Sequence, residues 1–231
     1  MKIKYIILAI KIVMALWFCL LAYSAFSQTI IHVRHKSYEI LYNQDLLTPE
    51  CVYYTLQASD FSGSITKKPK YFKQDTQLPP PRRKDKAYRF TDYQRGHLCP
   101  SGDRDSRADW FKDTFYTSNI VPMTPQVNAG VWKEIENECR SLASQGHRLR
   151  IACGVIHSHG ENVIHQQPDA LHCDTLWKIA QCIDCDTIRK AWIVPNERYR
   201  EASGNCITNE PVIYQKMTPI VAQFIRLWIN R

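Results

Sequence analysis

The stretch that decides how this chain is interpreted is Tyr93–Pro100, with the sequence YQRGHLCP. It places an arginine, a glycine and a histidine side by side and ends at a proline. His97 can accept a proton, Arg95 can offer several N–H donors to a phosphate, and Gly96 allows backbone to approach a ligand closely. A lone histidine is more often structural than functional, so its meaning depends on the residues downstream of it.

About thirty residues later the sequence turns from extended to helical. The apolar residues of this segment recur at one-turn spacing, which predicts a helix with one buried stripe; they are Val131, Ile135, Cys139 and Leu142. Asn128 stands at the start of this helix. Its side chain suits either an N-cap or an oxygen ligand for Mg²⁺, a cation that needs few protein oxygens.

Two charged residues continue the line from Asn128 along the predicted helix. Glu136 lies eight residues further on, about two turns, and so on roughly the same side. It is either an exposed helix glutamate or a group that orients metal-bound water. Arg140 lies one turn beyond and is either a surface charge or a phosphate contact. A general base, a phosphate-binding cation and an oxygen ligand together indicate a phosphodiester-cleaving site.

The first 27 residues have the composition of a signal peptide. Lys2 and Lys4 precede an apolar run, and small residues at 24–27 suit a cleavage site. Lys11 interrupts the run and leaves too few apolar residues to span a bilayer. We therefore expect an exported protein, secreted or periplasmic, with no stable membrane insertion after cleavage and a single domain over residues 28–231.

The basic charge of the chain is concentrated before the histidine. Removing the three lysines of residues 1–27 lowers the formal net charge of +8 by three, to +5. Residues 66–89 carry nine Lys or Arg side chains interleaved with aromatic ones. Such a stretch is either a solvated loop or a surface over which polyanions bind, and the sequence favours neither.

Eight cysteines remain after residue 27, and an even number in an exported chain predicts disulfides of unspecified pairing. Cys182 and Cys185 have the Cys-x-x-Cys spacing, which also suits half of a zinc site. Because no second such pair exists and the expected compartment is oxidising, a disulfide is favoured.

Strands and helices are expected to mix without a regular βαβ alternation. Strand composition is found at residues 51–58, 115–121, 149–156 and 191–194, and helical patterns run from 128 and over 217–228. This order predicts the α+β class, with a mixed central sheet and helices in one domain.

Three motifs in this order carry a family resemblance: Arg-Gly-His at 95–97, TFYTSNIVP at 114–122, and Asn-x-Gly-x-Trp-x-x-x-Glu at 128–136. The chain resembles the DNA/RNA non-specific endonucleases, and the agreement extends from residue 71 to residue 196. Ordered agreement at many positions is stronger than any one motif. The resemblance implies an embedded ββα-metal finger and Mg²⁺-dependent cleavage of DNA and RNA through backbone contacts, with Mn²⁺ as a substitute ion.

The resemblance also implies roles for individual residues. His97 would be the general base, Asn128 the direct metal ligand, and Glu136 the residue that holds water on the metal. Arg95 and Arg140 would contact the phosphate. The family often forms dimers, so a homodimer is compatible with the sequence.

Two further residues belong to the predicted substrate-binding set, and one of them is a departure from the family. Asn119 would support the site, and Lys70 stands where the family usually has an arginine. The second departure is Gln94, which replaces the aspartate that precedes Arg-Gly-His. Two rivals remain open: a nucleic-acid-binding protein whose nuclease site has decayed through Gln94, and a disulfide-rich extracellular structural module.

Overall fold

The computed structural model describes residues 29–61, 63–65, 67–84, 92–157, 173–197 and 203–230, together with residues 11, 13 and 14. The predicted signal peptide therefore lies almost wholly outside the described residues. Within the described parts of the chain, no helix is both long and apolar enough to cross a membrane.

A seven-stranded sheet forms the centre of the molecule, in the order β1-β2-β3-β6-β7-β8-β9. Its strands are β1 (Ile30–Arg34), β2 (Glu39–Asn43), β3 (Thr48–Leu56), β6 (Leu149–Ile156), β7 (Thr175–Cys182), β8 (Arg189–Pro195) and β9 (Ile207–Thr208). A separate two-stranded sheet pairs β4 (Gln94–His97) with β5 (Ile120–Met123). The helices are α1 (Ala108–Asp113), α2 (Trp132–Ser144), α3 (Glu210–Lys216) and α4 (Pro219–Ile229).

The α+β class and the central sheet are confirmed, but the sheet is antiparallel rather than mixed. Each of its six strand pairings is antiparallel. Parallel neighbouring strands would need a crossover connection. In this sheet, strands β1, β2 and β3 lie side by side in sequence order, and so do β6, β7 and β8. The long segment between β3 and β6 contains β4, β5 and α2. The chain then returns as β6, which pairs antiparallel with β3.

The two faces of the central sheet bury different elements. One face packs against α4, whose Val221, Ile225 and Ile229 are buried with sheet residues. The opposite face packs against α2, which buries Trp132 and Ile135 together with residues of β5. An apolar stripe on each helix explains this layering, because both sheet faces must be covered by apolar surface.

Sequence periodicity located the long elements well and the short ones poorly. The predicted strand at 149–156 coincides with β6, and Ile135 and Cys139 of the predicted stripe are buried in α2, whereas Leu142 is half-buried. The strand predicted at 115–121 is wrong: Thr117–Asn119 is a 3₁₀ turn and β5 begins at Ile120. The last helix starts at Pro219 rather than 217, because a proline at the first position sets the helix start.

The expectation of a disulfide framework is corrected. Among the described residues one disulfide is formed, Cys182–Cys185, as predicted for the Cys-x-x-Cys pair. Five other cysteines are buried thiols outside any disulfide: Cys51, Cys99, Cys139, Cys153 and Cys173. They lie on core-facing positions, where cysteine behaves as a small hydrophobic residue.

Candidate active site

Strands β4 and β5 and the helix α2 form a ββα unit beside the central sheet. Arg95 pairs with Pro122, and His97 pairs with Ile120, so the two strands run antiparallel. The chain then makes one wide helical turn over Val127–Val131 before α2 begins. A pocket of about 940 Å³ opens between this unit and the loops before it.

His97 lies in this pocket with its ring between two aromatic side chains. The ring centroids are 5.4 Å from Phe72 and 5.0 Å from Phe115. The Nε2 atom is buried and has no hydrogen-bond partner in the part of the chain that the structure describes. The backbone carbonyl of His97 accepts a hydrogen bond from Trp132 Nε1 at 3.2 Å, which ties β4 to α2. A histidine held rigidly with an unpartnered ring nitrogen is available to a ligand.

The surroundings of His97 keep its imidazole neutral. Burial, followed by the nearby charges of Lys68 and Arg95, lowers the pKa of His97 to about 3. Arg95 also lines the pocket, and its guanidinium stacks 4.4 Å above the Phe72 ring. The planar guanidinium is therefore held by packing as well as by charge.

Gly96 lies against a side chain of β5. A Cβ atom at Gly96 would collide with the Met123 Sδ atom, far inside van der Waals contact. Glycine at this position therefore leaves room for the Met123 side chain of β5. Packing of Met123 against bare backbone brings β4 and β5 together beneath the pocket.

Asn128 is not an N-cap. Its side chain caps no helix; Asn128 Nδ2 donates instead to Gln94 Oε1 at 2.7 Å, while its backbone N–H bonds Thr124 O. Since the amide nitrogen is used in this way, Oδ1 is the side-chain atom left for a ligand. Gln94, the departure from the family pattern, thus orients the predicted metal ligand.

Glu136 and Arg140 both line the same pocket, as the helical spacing predicts. Burial raises the pKa of Glu136 to about 7, although the charge of Lys178 opposes the rise. Arg140 Nη1 donates to Asp103 at 2.5 Å, and its Nη2 lies 3.8 Å from Glu136 Oε2. Asp103 therefore fixes the direction in which Arg140 points.

The other two predicted site residues lie outside the pocket lining. Asn119 is fully buried, and its amide bonds the backbone of Cys99 and Thr114. These bonds use its donors and its acceptor, so Asn119 supports the strand ends. Lys70 is exposed beside Tyr71, whereas Lys68 lines the pocket.

A family model for the DNA/RNA non-specific endonucleases matches residues 21–216. The chain belongs to this family. A nuclease of Nostoc sp. is 33% identical over 121 residues, which are 52% of this chain and 43% of that protein. The mitochondrial nuclease EXOG of Homo sapiens is 29% identical over 121 residues, 52% of this chain and 33% of that protein. The aligned region thus spans less than half the length of these curated relatives.

A solved structure shows that the endonuclease fold is shared. The complex described as "Crystal structure of the EndoG/EndoGI complex: Mechanism of EndoG inhibition" matches with a TM-score of 0.71. The match covers 80% of this chain and 82% of that chain at 19% sequence identity. At this identity the likeness concerns the fold.

The donor set of the endonuclease pocket fits a hard divalent cation. Asn128 offers an amide oxygen and Glu136 a carboxylate, and Mg²⁺ prefers oxygen ligands and retains several waters. In the described part of the chain, no group of three His, Cys, Asp or Glu ligands forms at this pocket. The pocket therefore suits a cation bound through few protein oxygens, with the remaining ligands supplied by water and phosphate.

Sequence reasoning missed three residues that shape this endonuclease pocket. Lys178 is a fully buried cation, 4.4 Å above the Trp132 ring, and its charge acts on Glu136. Asp103 is buried and holds Arg140. A lysine inside an apolar strand was the available signal for Lys178, since lysine is rarely buried without a function or a partner. Neither Asp103 nor Lys68 carried such a signal.

Proposed function

We propose that this protein is an exported Mg²⁺-dependent endonuclease that hydrolyses phosphodiester bonds of DNA and RNA without sequence specificity. One observation carries the proposal. His97, whose buried Nε2 atom has no hydrogen-bond partner among the described residues, lines the same pocket as Asn128 and Glu136. A proton acceptor, an oxygen ligand and a carboxylate thus share one pocket with cations that suit phosphate.

In this proposal His97 Nε2 accepts the proton of the water that attacks phosphorus. A base must be unprotonated to act, and the lowered pKa keeps His97 neutral at physiological pH. A base with a pKa near 3 is weak, however. An anionic phosphate beside Lys68 and Arg95 offsets the charges of these two residues, which lower this pKa after burial, so substrate binding raises the pKa of His97.

Cationic side chains bind the substrate backbone and stabilise its charge as the bond breaks. Four of them line the pocket, Lys68, Arg95, Lys133 and Arg140, against the carboxylates of Asp105 and Glu136. Phosphate contacts carry no sequence information, which accounts for cleavage without sequence preference. Arg95 and Arg140 are held in place by Phe72 and Asp103 and are therefore organised before substrate arrives.

Asn128 Oδ1 would hold the cation directly, and Glu136 would accept hydrogen bonds from its waters. When bound, Mg²⁺ would supply electrostatic stabilisation of the phosphate and of the departing oxygen. Gln94 keeps the Asn128 amide turned so that its oxygen remains available. This contact favours a working nuclease over the rival in which replacement of the family aspartate has destroyed the site.

Cleavage assays on plasmid DNA and on a single-stranded RNA test the proposal. The mature protein is incubated with Mg²⁺ or with a chelator, beside a His97→Ala variant. His32→Ala is the matched control, because that histidine lies on β1 and outside the pocket. We expect both substrates to be cut by the wild type and by the control, and neither by the His97 variant or in chelator.

Other outcomes separate the rivals. Tight nucleic-acid binding without cleavage supports a decayed site, and absence of both supports a structural module. Cleavage that persists in chelator and in His97→Ala contradicts the proposed mechanism. Export is tested separately by mass spectrometry of the secreted fraction, where a mature N-terminus at Gln28 is expected.

A further inference from the structure

A second group of ligand-type side chains lies away from the nuclease pocket. His147 Nδ1 is 4.0 Å from Cys182 Sγ and 3.9 Å from Cys185 Sγ. Within the described ranges, this is the one group of three His, Cys, Asp or Glu residues whose ligand atoms all lie within 4.8 Å. In the structure the two sulfurs are joined as a disulfide.

The backbone around His147 is fixed by the way in which α2 ends. Gly146 adopts φ +95°, its N–H bonds Ala143 O at 3.0 Å, and the N–H of His147 bonds Leu142 O at 3.4 Å. These two bonds and the left-handed glycine form a Schellman motif. His147 therefore occupies a defined position that does not depend on the disulfide.

The two cysteines are also held by backbone bonds. Cys182 is the last residue of β7 and pairs with Leu149 of β6. Its N–H bonds Ile188 O at 2.9 Å, and the N–H of Ile183 bonds Arg148 O at 2.7 Å. Since the second of these bonds joins the Cys-x-x-Cys loop to the residue after His147, opening the disulfide leaves the three side chains next to one another.

The spacing of the three ligand atoms approaches that of a tetrahedral zinc centre. Zinc–sulfur bonds of about 2.3 Å and zinc–nitrogen bonds of about 2.0–2.1 Å give tetrahedral S···N edges of about 3.6 Å and an S···S edge of about 3.8 Å. Both observed S···N distances, 4.0 and 3.9 Å, are within a few tenths of an ångström of that edge. Only the two sulfurs have to separate.

We propose that reduction of the Cys182–Cys185 disulfide creates a Zn²⁺ site formed by both thiolates and His147 Nδ1. A fourth position is left for water or an external ligand. Cys-x-x-Cys with a nearby histidine supplies the sulfur and imidazole ligands that zinc prefers. The two thiolates balance the charge of the cation, and the neighbouring charges of Arg148 and Asp184 pair with each other at 3.5 Å.

The conversion balances as two steps. A dithiol reductant transfers two electrons and two protons, so that the S–S bond breaks, both cysteines become thiols, and the reductant closes its own disulfide. Zn²⁺ then displaces one proton from each thiol and binds the unprotonated Nδ1 of His147. Oxidised protein offers no thiolate and is expected not to bind.

This site is independent of the nuclease proposal. It lies at the opposite end of α2 from Asn128, and the thirteen residues of that helix separate the two by about 20 Å. Loss of nuclease activity and loss of metal at this site can therefore be measured separately.

Cobalt provides the spectroscopic test. The mature protein is reduced with a dithiol, freed of reductant by gel filtration without oxygen, and titrated with Co²⁺. We expect one equivalent of Co²⁺ to produce thiolate-to-cobalt absorption in the near ultraviolet, and Zn²⁺ to displace it, in line with the stronger binding of zinc. Protein that keeps the disulfide is expected to show no such absorption.

Variants assign the ligands. The Cys182→Ser, Cys185→Ser protein should lose the absorption, although six other cysteines remain in the mature chain. His147→Ala should weaken binding beyond the roughly 10- to 100-fold loss that follows removal of an outer-shell partner. Arg148→Ala is the matched control, because it removes the adjacent exposed side chain and leaves all three ligands; its affinity should equal that of the wild type. Circular dichroism checks that each variant is folded.

Two results overturn the proposal. The first is a reduced wild type whose cobalt spectrum equals that of the double serine variant. The second is a folded His147→Ala protein that binds Co²⁺ as tightly as the Arg148→Ala control.

Discussion

The contact between Gln94 and Asn128 leads to a quantitative prediction. Gln94→Met keeps the length of the side chain and removes the oxygen that accepts from Asn128 Nδ2 at 2.7 Å. One hydrogen bond contributes about 0.5–1.5 kcal/mol, which corresponds to about a 2- to 13-fold change in an equilibrium constant. We expect the apparent dissociation constant for the metal to rise by this factor, because Asn128 must be ordered when the metal binds.

Two further substitutions at Gln94 should change the metal affinity in opposite directions if Gln94 acts by orienting the Asn128 amide. Gln94→Glu can only accept a hydrogen bond, so the Asn128 amide stays turned as in the structure while a negative charge is added near the cation. Metal binding should become tighter. Gln94→Lys can only donate, so it would occupy Asn128 Oδ1 and add a positive charge. Binding should become weaker than in the methionine variant.

Metal affinity is measured directly with Mn²⁺, whose paramagnetic resonance signal reports the free ion, and in parallel by plasmid cleavage at increasing Mg²⁺. The expected order of affinity is glutamate, wild type, methionine, lysine. A methionine variant with wild-type Mn²⁺ affinity would refute the role of this contact. A lysine variant that binds as tightly as the glutamate variant would show that Asn128 Oδ1 is not the ligand.

Three other predictions concern the same pocket. Folding lowers the pKa of His97 from 6.5 to about 3, so the unfolded chain binds this proton at higher pH than the folded chain does. Stability that is present above pH 6.5 is therefore lost as pH falls towards 3. In urea unfolding, His97→Asn should reduce the pH dependence of the unfolding free energy by up to about 1.4 kcal/mol per pH unit. Asp103→Asn should lower the free energy of unfolding by about 1–3 kcal/mol, since it weakens a charge-assisted bond to Arg140, and an unchanged urea midpoint contradicts this. Lys68→Ala should reduce the magnitude of the slope of log binding constant against log salt concentration for DNA by about 0.9. Lys70→Ala, outside the pocket, should change this slope less. Equal slopes in the two variants would contradict binding of the DNA phosphates in the pocket.

The parts of the fold that could be predicted from sequence are those with a sustained period. β6 is an apolar run interrupted by Arg150, and α2 carries a regular stripe, so the sequence predicts the positions of both closely. The 3₁₀ turn at Thr117–Asn119 has strand composition and was misassigned. Its conformation is set by long-range bonds, from Thr117 to Arg83 O and from Asn119 to Cys99, which no local pattern contains.

The candidate site, like the fold, is predictable from the sequence only where a periodic pattern applies. The helical period places Asn128, Glu136 and Arg140 on one side of the ββα unit, and all three line the pocket as expected. The helical period does not show which side chains of other elements contact these three residues. Gln94 contacts Asn128, 34 positions away, and Asp103 contacts Arg140, 37 positions away. These contacts arise only when β4 and the following turn fold against α2.

Burial has the same physical effect on the two titratable groups that the mechanism uses. It penalises whichever form is charged, and so it lowers the pKa of His97 to about 3 and raises that of Glu136 to about 7. In the pocket without ligands, both shifts favour the uncharged form of the group. The pocket is therefore more positive than the formal charges of its side chains suggest, which attracts a polyanion. A bound phosphate then makes the neutral imidazole of His97 a stronger base, and a bound cation favours ionisation of Glu136, so each ligand moves one of these groups towards the role that the proposed reaction gives it.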